Sequence, residues 1–286
     1  IPVAPFRTDG ENPAPPRPAW DDPQNGNWQG FERIEIPSSA DGNLQRAYFR
    51  KASGPHPRPL VVSLHTWSGD YTQQDPLAAE AAARNWNYIH PDFRGPNDRP
   101  EACGSPLVLT DLEDAVRHAV DNGNTDPTEV HIIGVSGGGY ATLLAYMTIR
   151  YPVRSFSAWY EQSVGRRQKY AWDIRNAVSA GRTPDMDEAR RRSPLHMPYP
   201  AELRKNARLF IYEGIHDGYK GSVPITHALD MYNQVAQAQG APDSCLVSVR
   251  EALRLVTARQ NPERDTLRTL GGRGVHLARS YGNVSL

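Results

Sequence analysis

The sequence predicts an α/β protein with a mostly parallel central sheet, helices on its faces and antiparallel strands at its N-terminal edge. Three observations predict it. Strand-like and helix-like stretches alternate through the middle of the chain, the pattern that builds right-handed crossovers. Leu60-Val61-Val62-Ser63-Leu64-His65 is almost continuously apolar, as a strand buried on both faces is. Val130-His131-Ile132-Ile133 runs through Gly134-Val135-Ser136-Gly137-Gly138 into the helix-like stretch Tyr140 to Met147. That is strand, G-x-S-x-G, helix.

Each element has its own signal. Residues 1–23 carry seven prolines and read as an extended linker or arm, with the domain proper over residues 24–286. The chain opens on Ile1 and that arm, and so reads as a piece of a longer multidomain protein or as a mature form. Phe31 to Ile36 and Leu44 to Arg50 alternate apolar and polar around the turn Asp41-Gly42-Asn43, an antiparallel pair. The buried strand Leu60 to His65 follows. Asp75 as N-cap and Pro76 at the first helical position open a helix to Arg84. Trp86 to Phe93 is the next strand, and Asp111 to Val120 is an amphipathic helix. Past the serine motif come strands at Val153 to Trp159 and Ala207 to Tyr212, then a helix over Val223 to Gln239.

Composition narrows the function classes. The 286 residues hold 32 basic and 32 acidic side chains, so no basic field is available for nucleic acid or an anionic membrane. No apolar run is long enough for a membrane span. No signal peptide is visible, which a processed chain shares. Localisation stays open, with a secreted or periplasmic protein favoured. Cys103 and Cys245 read as free thiols rather than a disulfide framework or a metal site.

The serine motif carries the chemistry. A sharp strand-to-helix reversal leaves no room for side chains around Ser136 and lifts its hydroxyl to the carboxyl edge of the sheet, at a helix N-terminus that favours negative charge. A nucleophilic serine needs an oxyanion hole, an acid and a base. The Gly137 amide is one expected donor. The turn His65-Thr66-Trp67-Ser68-Gly69 supplies the other through Trp67 or Thr66, with His65 supporting the loop. In the order Ser, Asp, His the acid falls at Asp217, with Glu161 and Glu213 as rivals. For the base, His227 lies inside a helix. His276 is the candidate within the chain, and the alternative is a base beyond residue 286, because Asn283 to Leu286 reads as the start of a further strand.

These residues resemble the α/β-hydrolase superfamily, and within it the prolyl-oligopeptidase-like serine esterases. The resemblance covers about residues 55–240. It rests on His65-Thr66-Trp67-Ser68-Gly69, His90-Pro91-Asp92-Phe93-Arg94-Gly95, the Ser136 motif and Gly214 to Val223. It implies an α/β-hydrolase fold and an esterase that removes acetyl or other small acyl groups from polysaccharides, often as one module of a larger enzyme. Catalysis of this kind needs no metal and no organic cofactor. Trp159 and Tyr160 are expected to line the substrate site, since aromatic faces suit sugar rings. The expected partner is a small-molecule or polysaccharide ester, not nucleic acid or a membrane. The alternatives are a serine peptidase of the same fold and a catalytically incomplete binding module.

Overall fold

The computed structural model describes residues 28–160, 167–179, 183, 185–219, 221–259 and 269–286. The expected arm, residues 1–23, lies outside the described residues, as does Glu161. So does the side chain of Tyr160.

The strands are β1 (Glu32–Pro37), β2 (Leu44–Arg50), β3 (Arg58–Leu64), β4 (Asn87–Pro91), β5 (Thr125–Val135), β6 (Ser155–Tyr160), β7 (Arg208–Glu213), β8 (Thr269–Leu270), β9 (Arg273–Gly274), β10 (Ser280–Tyr281) and β11 (Val284–Ser285). Among the described residues nine of them form one sheet in the order β1-β2-β4-β3-β5-β6-β7-β11-β10, while β8 and β9 pair separately. Strands β4, β3, β5, β6, β7 and β11 are parallel. β1 and β2 close the N-terminal edge in antiparallel fashion, as the alternation of their residues predicts. The opposite edge carries an antiparallel strand too, β10 on β11.

The helices are α1 (Pro76–Ala83), α2 (Pro106–Asn122), α3 (Gly137–Thr148), α4 (Arg167–Ser179), α5 (Met186–Arg191), α6 (Ala201–Arg204), α7 (Thr226–Ala238) and α8 (Val249–Ala258). Local chemistry explains their starts. Asp75 accepts the Leu77 amide at 2.9 Å with Pro76 behind it. Ser105 and Pro106 do the same for α2, which therefore begins five residues before the amphipathic stretch legible in the sequence. Ser248 and Glu251 form a capping box on α8. α3 buries almost every residue it has, because it packs against both β5 and β6.

The core lies between the sheet and these helices. Leu60, Val62, Val130, Ile132, Phe156, Ala158, Leu209 and Ile211 fill it from consecutive parallel strands. The aligned register Leu64↔Gly134↔Ala158↔Ile211 brings the carboxyl ends of β3, β5, β6 and β7 to one edge of the sheet. Ligand sites of open α/β sheets form at that edge.

Candidate active site

Ser136 follows β5 and precedes α3 in a left-handed backbone conformation, φ 56° and ψ −116°. A non-glycine residue there costs about 1–3 kcal/mol and persists only where its surroundings impose it. The surroundings are backbone on three sides. A Cβ on Gly134 would lie 2.2 Å from the Gly138 carbonyl oxygen, and one on Gly138 would lie 2.2 Å from the Leu64 carbonyl oxygen. A Cβ on Gly139 would lie 2.8 Å from the Trp159 carbonyl oxygen. The Ser136 amide also donates to Trp159 O at 2.7 Å, fastening the turn to β6. Glycine is needed here because of these approaches, as the motif predicts.

The turn after β3 meets the same spot. A Cβ on Gly137 would lie 2.2 Å from the Trp67 amide nitrogen. Neither the Trp67 nor the Gly137 N–H has a hydrogen-bond acceptor among the described residues. The Thr66 amide, the other expected donor, is spent: it donates to Gln73 Oε1 at 2.9 Å. Two unpaired N–H groups at a helix N-terminus form a pocket for negative charge.

Trp67 is held in place around its whole length. Its carbonyl accepts the Asn97 amide at 2.9 Å. Its indole N–H donates to the buried Asp173 of α4 at 2.9 Å. Its ring lies 5.9 Å from Tyr140 and 5.7 Å from Tyr170. His65 is buried behind the turn, stacked on Phe93 at 3.9 Å, with its ring nitrogens 2.9 Å from Thr66 O and 2.8 Å from Asp92 O. It supports the loop, as expected.

At the far end of α3, buried Arg204 covers the last carbonyls. Its guanidinium donates to Tyr146 O, to Ala145 O at 3.2 Å and to Ile149 O. Burial lowers its pKa to about 10. A cation at a helix C-terminus satisfies orphan carbonyls and complements the helix dipole.

Asp217 lies on the turn after β7, 2% exposed. Its Oδ1 accepts the Gly218 amide at 2.9 Å and the Val223 amide at 3.0 Å. β7 is two strand spacings, about 10 Å, from β5 in the sheet. Glu213, at the end of β7, has both carboxyl oxygens buried without a partner among the described residues, and burial with the neighbouring Asp217 charge pushes its pKa up to about 10.

His276 lies between β9 and β10. Among the described residues it forms no hydrogen bond or ion pair with Ser136 or Asp217. β10 is the outermost strand, four spacings or about 19 Å from β5. β11 runs parallel to β7, with Ser285 opposite Phe210, so the tail is the strand its residues suggested. Its carboxyl end points towards Asp217's edge of the sheet. His227 is in α7, as read from the sequence.

Trp159 stacks on Tyr212 across β6 and β7 at 3.9 Å, and its buried indole N–H has no acceptor among the described residues. Sequence reasoning missed Gln73, Asn97, Asp173 and Arg204, which hold the turn and the helix. Their partners are backbone atoms or a distant ring, and no motif signals such contacts. Two surface cavities, of about 510 and 320 Å³, lie along α2 and include none of these groups. Among the described residues no helix is long and apolar enough to cross a membrane, and no group of three or more potential metal ligands gathers.

Comparison with known proteins agrees with this architecture. The chain resembles a protein assigned as a dienelactone hydrolase from Klebsiella pneumoniae, with TM-score 0.51 and 22% identity over 74% of this chain and 81% of that one. It resembles a puromycin-hydrolyzing peptidase of Mycobacterium tuberculosis, with TM-score 0.57 and 17% identity over 82% of this chain and 39% of that one. It also resembles prolyl oligopeptidase B of Galerina marginata, with TM-score 0.54 and 14% identity, covering 73% of this chain and 32% of the other. The chain thus spans about a third of the length of the two peptidases. At these identities the likeness shows the fold. The sequence model of the alpha/beta hydrolase family matches residues 61–276, and with the serine turn and sheet described above the chain belongs to that family.

Proposed function

We propose that this hydrolase is a serine esterase that cleaves short acyl esters, acylated carbohydrates above all. One observation carries the reading: Ser136, held at positive φ, stands beside the amides of Gly137 and Trp67, which have no acceptor among the described residues. Ser136 Oγ attacks the acyl carbonyl while a histidine takes its proton. The two amides bind the oxyanion, and the histidine passes the proton to the departing alcohol. Water then repeats the sequence and frees the acid. Asp217 orients the histidine, and His276 is the candidate base. The aromatic rings of Tyr140 and Tyr170 gathered against the Trp67 indole support a sugar as the alcohol part. Trp159 and Tyr160 stay in the proposal as neighbouring substrate contacts.

The test is Ser136→Ala. Hydrolysis of p-nitrophenyl acetate and labelling by a fluorophosphonate probe are both expected to vanish while the fold persists. Retained turnover overturns the reading. A serine peptidase uses the same machinery, and the peptidases among the similar structures support it as the second reading. Faster turnover of aminoacyl-arylamides than of acetyl esters selects it.

A further inference from the structure

Two carboxyl groups meet at the end of β7 with too few donors between them. Asp217 Oδ1 has two backbone amides. Asp217 Oδ2 and both Glu213 oxygens are buried, and among the described residues no N–H or O–H from any third residue reaches them. Part of the Glu213 stem meets solvent, but its carboxyl oxygens do not. Two neighbouring carboxylates, out of water and with no cation bonded to these oxygens among the described residues, repel strongly. One shared proton removes the repulsion and turns the contact into a hydrogen bond. Asp217 Oδ1 already accepts two backbone amides while neither Glu213 oxygen accepts any, so the proton is assigned to Glu213.

We propose that Glu213 is a positioning residue: a neutral carboxylic acid whose O–H donates to Asp217 Oδ2 and holds that carboxylate facing the catalytic histidine. The inference rests on the serine-hydrolase reading for its catalytic part. With the Gly218 and Val223 amides, the Glu213 hydroxyl makes a third donor that fixes the plane of the Asp217 carboxylate. The second lone pair of Oδ2 remains for the histidine N–H. The burial and the Asp217 charge that push Glu213 up to about 10 keep it protonated at neutral pH. Among the described residues, Asp217 is the one titratable group whose charge bears on it. Glu213 therefore acts through Asp217 and not on substrate.

Glu213→Gln keeps a donor, now an N–H, and removes the titrating proton. Glu213→Ala removes both. We compare them with the parent protein by kcat and KM for p-nitrophenyl acetate from pH 6 to 10, and by Tm from pH 5 to 9. In Glu213→Ala, kcat is expected to fall at least tenfold at pH 7 with KM within threefold. Glu213→Gln is expected to restore at least a third of the parent kcat, and to lose less of it than the parent between pH 8 and 10. The Tm signature is independent of turnover. A carboxyl whose folded pKa is raised stabilises the fold at acid pH and loses that contribution as pH climbs from its ordinary value to the folded one. The Tm of Glu213→Gln should accordingly gain on the parent steadily from pH 5 to 9. Equal kcat losses in the two variants, or a Tm gap that ignores pH, overturn the proposal. If Glu213→Ala does not fold, the comparison of Glu213→Gln with the parent decides. Turnover surviving Ser136→Ala strikes the serine-hydrolase reading alone, and the Tm gap still reports the shared proton.

Discussion

The missing Cβ of Gly137 would fall 2.2 Å from the amide nitrogen of Trp67, so the helix start and the turn after β3 are in contact through bare backbone. That contact sets the separation of two N–H groups. Any side chain at 137 pushes backbone from backbone, and no flexible group is present to give way. Gly137→Ala is therefore expected to lower kcat on p-nitrophenyl acetate by about 10²–10³-fold, the cost of one oxyanion donor. Its Tm should fall as well. Unchanged kcat in the folded variant removes the two amides from the mechanism.

Asp173 reaches from α4 to the Trp67 indole. Asp173→Ala leaves that part-buried N–H without its acceptor and lets the turn shift. A kcat/KM loss of roughly 10–100-fold is expected, as misplacement by an ångström produces. Trp67 fluorescence should change with it. Full activity would show that the carbonyl clamp of Asn97 suffices.

His276 carries a sharper test. If it is the base, His276→Ala lowers kcat at least about 10³-fold, as loss of a member of such a unit does. Retained turnover passes the role to another histidine.

Arg204 is predicted to matter for stability and not for chemistry. Arg204→Met strips the donors from three carbonyls at the end of α3. A loss of about 2–4 kcal/mol in urea unfolding is expected, or roughly 5–10 °C in Tm. Activity per folded molecule should stay at the parent level. A stability change under about 0.5 kcal/mol would show that water replaces the guanidinium.

His90, buried beneath Trp28 with its ring nitrogens unbonded among the described residues, has a pKa lowered by burial to about 4. His65, Asp70 and Asp75 act on it as well. A histidine that stays neutral in the folded state, while its unfolded counterpart charges near pH 6.5, loses stability for the fold as pH drops through that window. Tm should fall between pH 6.5 and 4, and His90→Leu should lessen the fall. Equal falls in both proteins would assign the acid sensitivity to other groups.

Much of this architecture is legible in the residues because short-range rules wrote it. The apolar run at Leu60, the Asp75-Pro76 helix start and the glycines flanking Ser136 each follow from a local steric or hydrogen-bonding demand. The choice between Thr66 and Trp67 was not legible, since it turns on Gln73 reaching back across the loop. Nor was the Glu213–Asp217 contact. The two residues looked like rival acids, and only the turn between them makes them partners. Helices α4, α5 and α6 carry weaker patterns, and their places depend on distant anchors such as Asp173 and Arg192, which binds Ala102 O at 2.9 Å.

The capping of α3 by Arg204 separates two jobs along the chain. The helix that carries the serine is pinned at its far end by a residue that arrives just before β7, after the whole excursion from β6. The excursion can then change in length or composition without unpinning the helix, provided Asp173, which holds the Trp67 turn, survives along with its two roots. Substrate preference in this scaffold is in that sense interchangeable. Grafting a foreign segment between Tyr160 and Ala201 is a design route that must restore the Asp173 acceptor to the Trp67 indole and the Arg192 carbonyl to the Tyr140 hydroxyl.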